Sequence, residues 1–405
     1  MDLTKVEVGI LNLRLNAGID FVQVLPEELN LLIFAYLDDI RTLLACSAVS
    51  APWHDIANSQ RLWRRKFRDE PNYNCKPTGD KIIDWKELYK TRFVLERRWM
   101  HGIVEPSHLV GHEDSVYCVQ FDDIKIVTGS RDQTIRVWST TDHSQIQVLR
   151  KANQHEIGHD GSILCLQYDE KLMVSGSSDS TCILWRLPGF IPFRQLTHHS
   201  GAVLDVAIYD RIVATCSKDG FVCVLDRDQE FETKFWLPAC RGPVNAIDLK
   251  HNVLVSAGND GLVKIWNTKS GKLIKTLIGH KRSLACVQIS DDLKFVVSGG
   301  NDDSIRIWDA KRGTCLRVLQ EHQSLVRSLQ LSGNKLISAS YDKSIKIWSM
   351  ETFRLMLDFS KFHGSWIFAA KTDGKRIVST SFGINPVILD FSQGLNQECL
   401  AYLCD

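Results

Sequence analysis

The chain has 405 residues, which at about 150 residues per domain allows two or three domains, or one small module joined to a large repetitive one. Lys and Arg number 49 and Asp and Glu 48, so no field of one sign covers the molecule, and we expect neither a nucleic-acid nor a membrane partner. The 44% hydrophobic content is typical of a globular protein, and the longest apolar run, residues 31–37, is too short to span a membrane.

The first 20 residues mix charged and apolar side chains without a basic start, a hydrophobic stretch and a cleavage site, so we expect no export signal. The 12 Cys are scattered, with no Cys-x-x-Cys pair, and we predict neither a metal ion nor another cofactor. Most cysteines lie in strand-like runs such as residues 116–119, where a reduced thiol packs as a small apolar group. This usage predicts a cytoplasmic or nuclear protein.

Apolar residues in 21–67 follow a helical period. On a helical wheel, one face collects Leu25, Leu29, Leu32, Ile33 and Tyr36, and the opposite and lateral sides carry Phe34, Leu31 and Leu37. A helix that is apolar all round belongs in a core, and a segment of about 45 residues is too small to cover it on every side. We therefore expect one apolar face to be reserved for another protein.

The same residues resemble an F-box. The resemblance rests on Leu-Pro-x-Glu-Leu from Leu25, Ile-Phe-x-Tyr-Leu-Asp from Ile33, Val-Ser before Trp53 and the closing pair at 62–63. Pro52 departs from the polar or basic residue usual before that Trp, but it fits the first turn of a new helix. An F-box docks on the protein Skp1, and the resemblance assigns this contact to Leu25, Pro26, Leu29, Ile33, Phe34, Leu37 and Trp53. The alternative is a helical hairpin that packs only against the rest of the chain.

The run Arg61–Arg68 is basic and has two interpretations. It could be a nuclear import or nucleic-acid patch, or it could be the last helix of the module. The interleaved Leu62, Trp63 and Phe67 favour a helix that is packed on one side and solvated on the other.

Residues 70–80 are rich in Pro, Asn and Gly and predict a loop. Asp84 is then placed to cap a helix that continues to Trp99, a length of about 24 Å at 1.5 Å per residue. The apolar stripe of this helix contains Trp85, Leu88, Tyr89, Phe93, Leu95 and Trp99. It would link the first module to the next, or merely pack beneath it.

From about residue 108 the sequence repeats with a period near 40 residues, the mark of stacked supersecondary units. Each unit has a His, an apolar strand, Ser or Thr before Gly/Ala-Ser-x-Asp, and an alternating run that ends in Trp. Four units are complete: His112, Thr128, Asp132 and Trp138; His159, Ser175, Asp179 and Trp185; His280, Ser298, Asp302 and Trp308; and His322, Ser338, Asp342 and Trp348. Three are degraded, with Leu225 in place of Trp, Cys240 in place of His, and Gly383 and Leu389 in place of Asp and Trp.

The Asp positions, with Gly383 as the last, are 47, 40, 41, 42, 40 and 41 residues apart, so the second unit carries an insertion, at about residues 151–157. Alternating runs such as residues 134–138 predict strands, and four short strands fit each unit. With Gly-His pairs at 111–112, 158–159 and 279–280 and a Trp-Asp pair at 308–309, residues 105–391 resemble WD40 repeats. The resemblance implies a seven-bladed β-propeller, with residues 107–110 as the outermost strand of the last blade.

The repeated Asp, His, Ser or Thr and Trp suit a buried chain of hydrogen bonds in each blade, in which every member satisfies the next. We therefore interpret these residues as structural, although they look like hydrolase triads in the sequence. We predict no catalytic residue and expect that the chain is not an enzyme.

Together, the two resemblances identify the chain as a member of the F-box/WD40-repeat family of Cdc4-like and β-TrCP-like substrate receptors. In that family a Trp-Lys-x-x-Tyr helix, here from Trp85, joins the modules. The predicted fold class is an all-β seven-bladed WD40 β-propeller preceded by a small all-α F-box domain and a helical linker. The expected divisions are an N-terminal segment (1–20), the F-box (21–67), the linker (68–104), the propeller (105–391) and a C-terminal tail (392–405).

The family implies the role of a substrate-recognition subunit in an SCF-type E3 ubiquitin ligase. The F-box would bind Skp1 and through it the cullin and RING subunits, and the propeller would bind a protein target for ubiquitination and proteasomal degradation. Such a chain is a non-catalytic adaptor that acts by proximity. The alternative is a WD40 scaffold with no ubiquitin-ligase role.

The target face of such a propeller is expected to carry two residues of each unit. The residues before the turn Asp are Arg131, Ser178, Lys218, Asn259, Asn301, Tyr341 and Phe382, and those of the inner strands are Tyr117, Leu164, Leu204, Asn245, Ala285, Arg327 and Phe368. The predicted substrate-binding residues are Arg131, Lys218 and Arg327, supplemented by Arg282, for a phosphorylated peptide, with Tyr117 and Tyr341 as aromatic walls. The alternative is that the cations are solvated rim charges, because the relatives place more Arg at these positions.

Overall fold

The computed structural model describes residues 20–37, 39–69, 74–75, 83–151, 153 and 155–404. The predicted N-terminal segment lies outside this part of the chain except for Asp20, and so does the predicted loop at 70–80 except for residues 74–75. The described residues before Arg98, with those from Ser392 onward, form one compact unit, and Arg98–Phe391 form a second.

The helices of the chain are α1 (Phe21–Val24), α2 (Glu27–Ala35), α3 (Ile40–Cys46), α4 (Ala51–Asn58), α5 (Gln60–Asp69), α6 (Trp85–His101) and α7 (Gln397–Tyr402). In the first unit, a two-residue strand at Asn74–Cys75 pairs antiparallel with Leu403–Cys404. The first five helices form a small helical module, whose core contains Phe34, Leu43, Leu62, Trp63 and Phe67, each at most 2% exposed.

Helix α5 has two unlike sides, as its sequence predicted. Its apolar residues are buried, whereas Arg61, Arg64, Arg65 and Arg68 are exposed. Lys66 is the exception among the basic residues, since its ammonium group donates to two carbonyl oxygens beyond the helix, those of Leu37 (2.6 Å) and Ala35 (3.2 Å).

Local sequence sets the starts of two helices. Pro52 lies in the first turn of α4, where its missing N–H removes no helical hydrogen bond. Asp84 accepts hydrogen bonds from the backbone N–H groups of Lys86 (3.1 Å) and Glu87 (3.2 Å), so it caps α6 as predicted. The helix continues beyond its predicted end at Trp99 and stops at His101.

The second unit contains seven four-stranded antiparallel sheets, which are the blades of a propeller. The strands of blades 1 to 3 are Val116–Phe121, Lys125–Ser130, Ile135–Ser139 and Gln145–Leu149; Ile163–Tyr168, Leu172–Ser177, Cys182–Arg186 and Ile191–Leu196; and Val203–Tyr209, Ile212–Ser217, Phe221–Asp226 and Glu232–Pro238. Those of blades 4 to 6 are Val244–Lys250, Val253–Gly258, Val263–Asn267 and Lys272–Leu277; Leu284–Ile289, Phe295–Gly300, Ile305–Asp309 and Cys315–Leu319; and Val326–Ser332, Lys335–Ser340, Ile345–Ser349 and Leu355–Phe359. Blade 7 has Ile367–Thr372, Arg376–Ser381 and Val387–Asp390, and its fourth strand is Pro106–His108.

The propeller closes by an exchange between its two ends. The first strands of the seven blades contact one another in a complete ring, and Ser107 pairs with Ile388 in blade 7. This confirms closure by the strand that precedes the first repeat. The strand begins at Pro106 and ends at His108, earlier than the predicted 107–110.

The predicted chain of hydrogen bonds is complete in blades 1, 2, 5 and 6. In blade 1, Nδ1 of His112 lies 2.7 Å from the Asp132 carboxylate and Nε2 lies 2.8 Å from the Thr128 hydroxyl. The indole N–H of Trp138 donates to the same hydroxyl at 2.9 Å. Because a carboxylate only accepts, Nδ1 carries the imidazole proton and Thr128 donates to Nε2.

The degraded blades keep parts of this chain. Blade 3 retains the contact between His199 and Asp219 (2.8 Å), and blade 4 retains the bond from Trp266 to the Ser256 hydroxyl (3.0 Å). In blade 7 only the contact of His363 with the Ser379 hydroxyl (2.7 Å) remains.

The turn carboxylates are held ionised by their neighbours. Burial by itself would raise the pKa of Asp132, but hydrogen bonds from His112 and Thr134 outweigh it and hold this pKa well below its usual range. The same balance lowers the pKa of Asp179 and of Asp342. Each carboxylate therefore fixes its blade as an anion at neutral pH.

Candidate functional site

Of the residues assigned to the Skp1 contact, Trp53 lies on α4, and the others lie on α2 and next to its ends. Leu25, Leu29, Ile33 and Leu37 are each partly exposed, and Pro26 is exposed. The described chain therefore leaves this apolar side of the helix incompletely covered.

Phe34 does not belong to that surface. Its side chain is 1% exposed, and its ring packs edge to face against Trp53, with 5.3 Å between centroids. Trp53 is half-buried, contacts Phe21 in the same way and donates its indole N–H to Asp20 at 2.8 Å. The assignment of Phe34 to the Skp1 contact was wrong, because α2 turns this ring into the core of the module.

The expectation that α2 is apolar on all sides is also corrected. Its two buried positions are Phe34 and the polar Asn30, whose amide donates to the carbonyls of Val22 (2.8 Å) and Leu25 (3.1 Å). Asn30 thereby joins α1 to α2, and the leucines of the helix face outward in part.

Further apolar side chains extend the open surface of the module. They are Val24 (60% exposed), Tyr36 (61%), Leu44 (47%) and Val49 (61%). The sequence placed Tyr36 on one apolar face of the helix but named none of these four as a site residue, and α1 and α3 are too short to show a helical period. The exposed apolar side chains thus come from three helices and the segment after α3.

In the propeller, the inner-strand residues predicted for the target face share one backbone feature. Each lies at a β-bulge, where the register between the first and second strands of its blade shifts by one residue: Tyr117, Leu164, Leu204, Asn245, Ala285, Arg327 and Phe368. A bulge re-aims the side chain it carries, so the same irregularity presents seven side chains at one end of the ring.

The second predicted set lies beside these bulges. The backbone N–H of Arg131 donates to the carbonyl of Ser115 (2.8 Å), two residues before the bulge at Tyr117. The equivalent bond recurs in all seven blades, ending with Phe382 to the carbonyl of Trp366 (2.9 Å). Both predicted sets therefore occupy one face of the propeller, which we call the bulge face.

One sector of the bulge face is an aromatic cluster formed by Tyr117, Tyr341, Trp366, Phe368 and Phe382. Tyr341 stacks on Trp366 with 5.0 Å between centroids and an interplanar angle of 8°. Phe368 lies within 4.9 Å of Tyr117 and 5.8 Å of Tyr341, so the two tyrosines predicted as aromatic walls do converge on one ring. Trp366 and Phe382 are 49% and 51% exposed.

Trp366 is a site residue that the sequence analysis missed. Its position precedes the inner strand and is filled in the other blades by Ser115, Ser162, Ala202, Pro243, Ser283 and Leu325. The repeat consensus does not include this position. Aligning the seven units would have revealed it, since only the last carries an aromatic residue there.

The predicted cations do not converge. Arg131, Lys218 and Arg282 are exposed in blades 1, 3 and 5, where Arg131 lies 3.7 Å from Asp114 and Arg282 donates to the carbonyl of Asn301 (3.4 Å). Arg327 is half-buried in blade 6 and donates to the carbonyl of Ala285 (3.3 Å). Of these four, only Arg327 lines the central channel, together with Tyr117 and Phe368 of the aromatic cluster.

The central channel encloses about 340 Å³ and has charged walls. Asp205 accepts the N–H groups of Val206 and Ile247, both at 2.9 Å, and burial raises the pKa of this carboxyl to about 6. Lys371 also lines the channel. At one flank of the bulge face, Lys151 and Asn153 of the insertion line a separate groove; residues 152 and 154 lie outside the described part of the chain.

The repeated constellations of His, Asp and Ser offer no accessible nucleophile. Ser175, Ser298 and Ser338 are fully buried, and each hydroxyl is held by both an imidazole nitrogen and an indole N–H. Within the described residues, no group of three or more His, Cys, Asp or Glu is arranged to hold a metal ion, and no helix is long and apolar enough to cross a membrane.

A β-propeller of seven blades, with a separate helical module before it, is the class of protein that this fold defines. A family model for the WD domain, G-beta repeat, matches residues 105–139, 151–186, 190–226, 233–267, 271–309 and 313–349, more than half of the chain. The chain therefore belongs to the WD40 repeat family. An F-box-like family model matches residues 22–69 in the helical module. The first three strands of blade 7, which has lost two of its four consensus residues, lie outside the matched ranges.

Individual relatives combine the same two modules. A probable E3 ubiquitin ligase complex SCF subunit sconB from Arthroderma benhamiae is 29% identical over 167 residues, 32% of this chain and 25% of that protein. The F-box/WD repeat-containing protein 7 of Drosophila melanogaster is 30% identical over 144 residues, 32% of this chain and 11% of that protein. The match thus spans a quarter or less of the length of these relatives.

Among solved structures, the WD40 β-propeller domain of Doa1 superposes with a TM-score of 0.63 at 25% identity, over 72% of this chain and 97% of that one.

Proposed function

We propose that this chain is the substrate-recognition subunit of an SCF-type E3 ubiquitin ligase. Its F-box-like module docks on Skp1 and through it on the cullin and RING subunits, and its propeller binds the target for ubiquitination and proteasomal degradation. The chain performs no chemistry itself and acts as an adaptor, because holding a target lysine near the charged E2 raises the effective concentration of that lysine.

The observation that carries this proposal is the incompletely covered apolar surface of the helical module. Apolar side chains such as Tyr36 and Val49, each 61% exposed, occur on the same small module as the partly exposed side of α2, and large exposed apolar surface marks interaction sites. The relatives described as SCF subunits support the nature of the partner. The scattered, mostly buried free thiols support a place in the cytoplasm or nucleus.

Co-expression of the full chain with Skp1 tests the proposal. We expect a stable binary complex on affinity purification, and we expect Leu25→Ala combined with Pro26→Ala to reduce its yield about tenfold or more, because these residues begin the open side of α2. Phe221→Ala is the matched control, since this ring is 41% exposed but lies in blade 3.

If Skp1 fails to co-purify with the unsubstituted chain, and other partners bind equally well before and after the double substitution, the chain is a WD40 scaffold without a ligase role. A complex that survives the double substitution, with the protein folded, would contradict the assigned contact.

A further inference from the structure

The bulge face has two unlike sectors. Its aromatic cluster comes from blades 1, 6 and 7 and leaves Trp366 and Phe382 about half exposed. Of the exposed cations of this face, Arg131 lies in blade 1, 3.7 Å from Asp114, whereas Lys218, Arg241 and Arg282 lie in blade 3 and in the segments that precede the first strands of blades 4 and 5. The residues best placed to bury a ligand are therefore aromatic.

Arg327 supplies a charge in the central channel, which two residues of the aromatic cluster, Tyr117 and Phe368, also line. Its guanidinium makes one long hydrogen bond, to the carbonyl of Ala285 at 3.3 Å, and forms no ion pair with a carboxylate in the described part of the chain. Lys371, farther along the same channel wall, likewise has no ion pair among the residues described.

The channel's own carboxylates are already engaged. Both oxygens of Asp205 accept backbone N–H groups, and Asp248 does the same with Leu249 and Ile289, each at 2.9 Å. They stitch neighbouring blades together, and neither forms an ion pair with Arg327, although the charges of Lys371 and Arg327 act on Asp205 from farther away. The guanidinium of Arg327 thus keeps donors for an acidic group from outside.

A carboxylate fits these donors better than a phosphate does. A single guanidinium can bind either group through two parallel hydrogen bonds, but it balances the one charge of a carboxylate and not the nearly two charges of a phosphate, which gains from an arginine cluster. Here Arg131 lies 3.7 Å from Asp114 in blade 1, and Arg282 donates to the carbonyl of Asn301 in blade 5. Neither lines the channel with Arg327.

We propose that the aromatic cluster and Arg327 capture an unphosphorylated peptide segment in which an aromatic side chain lies next to an aspartate or glutamate. The aromatic side chain packs against Trp366 and Phe382, and the carboxylate reaches Arg327 at the channel mouth. This inference rests on the proposed function, because it names the class of target segment that the propeller would present to the ligase.

Selection of peptides on the purified full chain tests the inference. The probe is a phage-displayed library of random 12-residue peptides, which carry no phosphate. We expect the enriched sequences to share an aromatic residue beside Asp or Glu. The consensus is then synthesised with a fluorophore and a C-terminal amide, so that the side chain provides the only carboxylate at the motif, and its affinity is measured by fluorescence anisotropy.

Three changes are expected to weaken binding of the consensus peptide about tenfold or more. They are Trp366→Ala, Arg327→Gln, and replacement of the acidic residue of the peptide by its amide. The matched controls are Trp236→Ala, whose ring is 42% exposed on the outer strand of blade 3, and Arg241→Gln, which removes an exposed cation of blade 4. Both should keep the original affinity, and thermal unfolding confirms that every variant is folded.

The inference is overturned if the unmodified library enriches nothing, if the consensus lacks the aromatic and acidic pair, or if folded Trp366→Ala protein binds as the original does. Skp1 binding is measured on the same preparation. If the chain binds Skp1 but enriches no peptide, only this inference is refuted. If the chain enriches the peptide but does not bind Skp1, only the ligase role is refuted.

Discussion

At the scale of single residues, blade 7 shows what the repeated Asp contributes. Gly383 occupies the position of the turn Asp, because its N–H donates to Ser381 (3.2 Å) as that of Asp132 donates to Ser130 (3.1 Å). His363 keeps its hydroxyl partner but has lost the carboxylate that the other histidines contact. Burial is the main reason that the pKa of His363 is lowered from 6.5 to about 4, and the charge of the nearby His108 lowers it further.

Gly383→Asp should therefore restore the missing acceptor. We expect it to stabilise the propeller by about 1 kcal/mol at pH 7.5, measured as the free energy of unfolding in urea. A Cβ at this position meets only the Ser381 hydroxyl within 4 Å, at 3.3 Å, so this side-chain oxygen must shift slightly to admit the new side chain, and no backbone atom stands in its way. Ile384→Asp adds the same charge one residue away, at a side chain that is 47% exposed, and should not stabilise. Equal effects of the two substitutions would show that the position of the carboxylate is irrelevant.

The pKa of His363 also predicts an acid-sensitive step. The unfolded chain binds a proton at this residue near pH 6.5, whereas the folded protein does so only near pH 4. The burial of neutral His363 therefore costs no stability above pH 6.5. As the pH falls from 6.5 toward 4, the free energy of unfolding decreases, by up to roughly 3 kcal/mol for a pKa shift of this size. Urea unfolding at intervals between pH 7.5 and pH 4 measures the loss. In His363→Gln, the loss of unfolding free energy between pH 7.5 and pH 4 should be smaller. An unchanged pH profile in this variant would exclude His363 as the cause.

At the scale of elements, the helix boundaries were predictable where local chemistry sets them, as at Asp84 and Pro52. The packing of α2 was not. The spacing of its apolar residues does not reveal that Asn30 and Phe34 face the core. Asn30 is buried because its amide donates hydrogen bonds to the carbonyls of Val22 in α1 and of Leu25, the C-terminal cap of α1. Tertiary hydrogen bonds of this kind leave no periodic signal in the sequence.

Lys66 makes a similar connection between α5 and α2. Lys66→Met removes donors to the carbonyls of Ala35 and Leu37 at the end of α2, and we expect a loss of about 1–2 kcal/mol from the helical module. Hydrogen exchange on the full chain should then show faster exchange in Glu27–Ala35. Arg68→Met changes an exposed residue of the same helix and is the control. Unaltered protection of α2 in Lys66→Met would mean that these bonds contribute nothing.

At the scale of the whole molecule, the sequence predicted the propeller and its closure because the same four polar residues recur at a nearly fixed interval. Repetition also hid part of the site. Tyr117 and Tyr341 stood at positions that the repeat marks, but Trp366 stood at one that varies freely, and the distances between Arg131, Lys218 and Arg327 could not be read from their spacing. Side chains from different blades come together only when the ring of blades is closed, so the spacing of residues in the sequence does not reveal which of them are neighbours.

The most direct test of the account is assembly with purified Skp1, cullin and RING subunits, followed by size-exclusion chromatography with light scattering. The account predicts that the chain enters the assembly as one copy, only when Skp1 is present, and that Leu25→Ala with Pro26→Ala prevents entry while the propeller remains folded. A chain that stays outside the assembly with Skp1 present, or enters it without Skp1, would contradict the account.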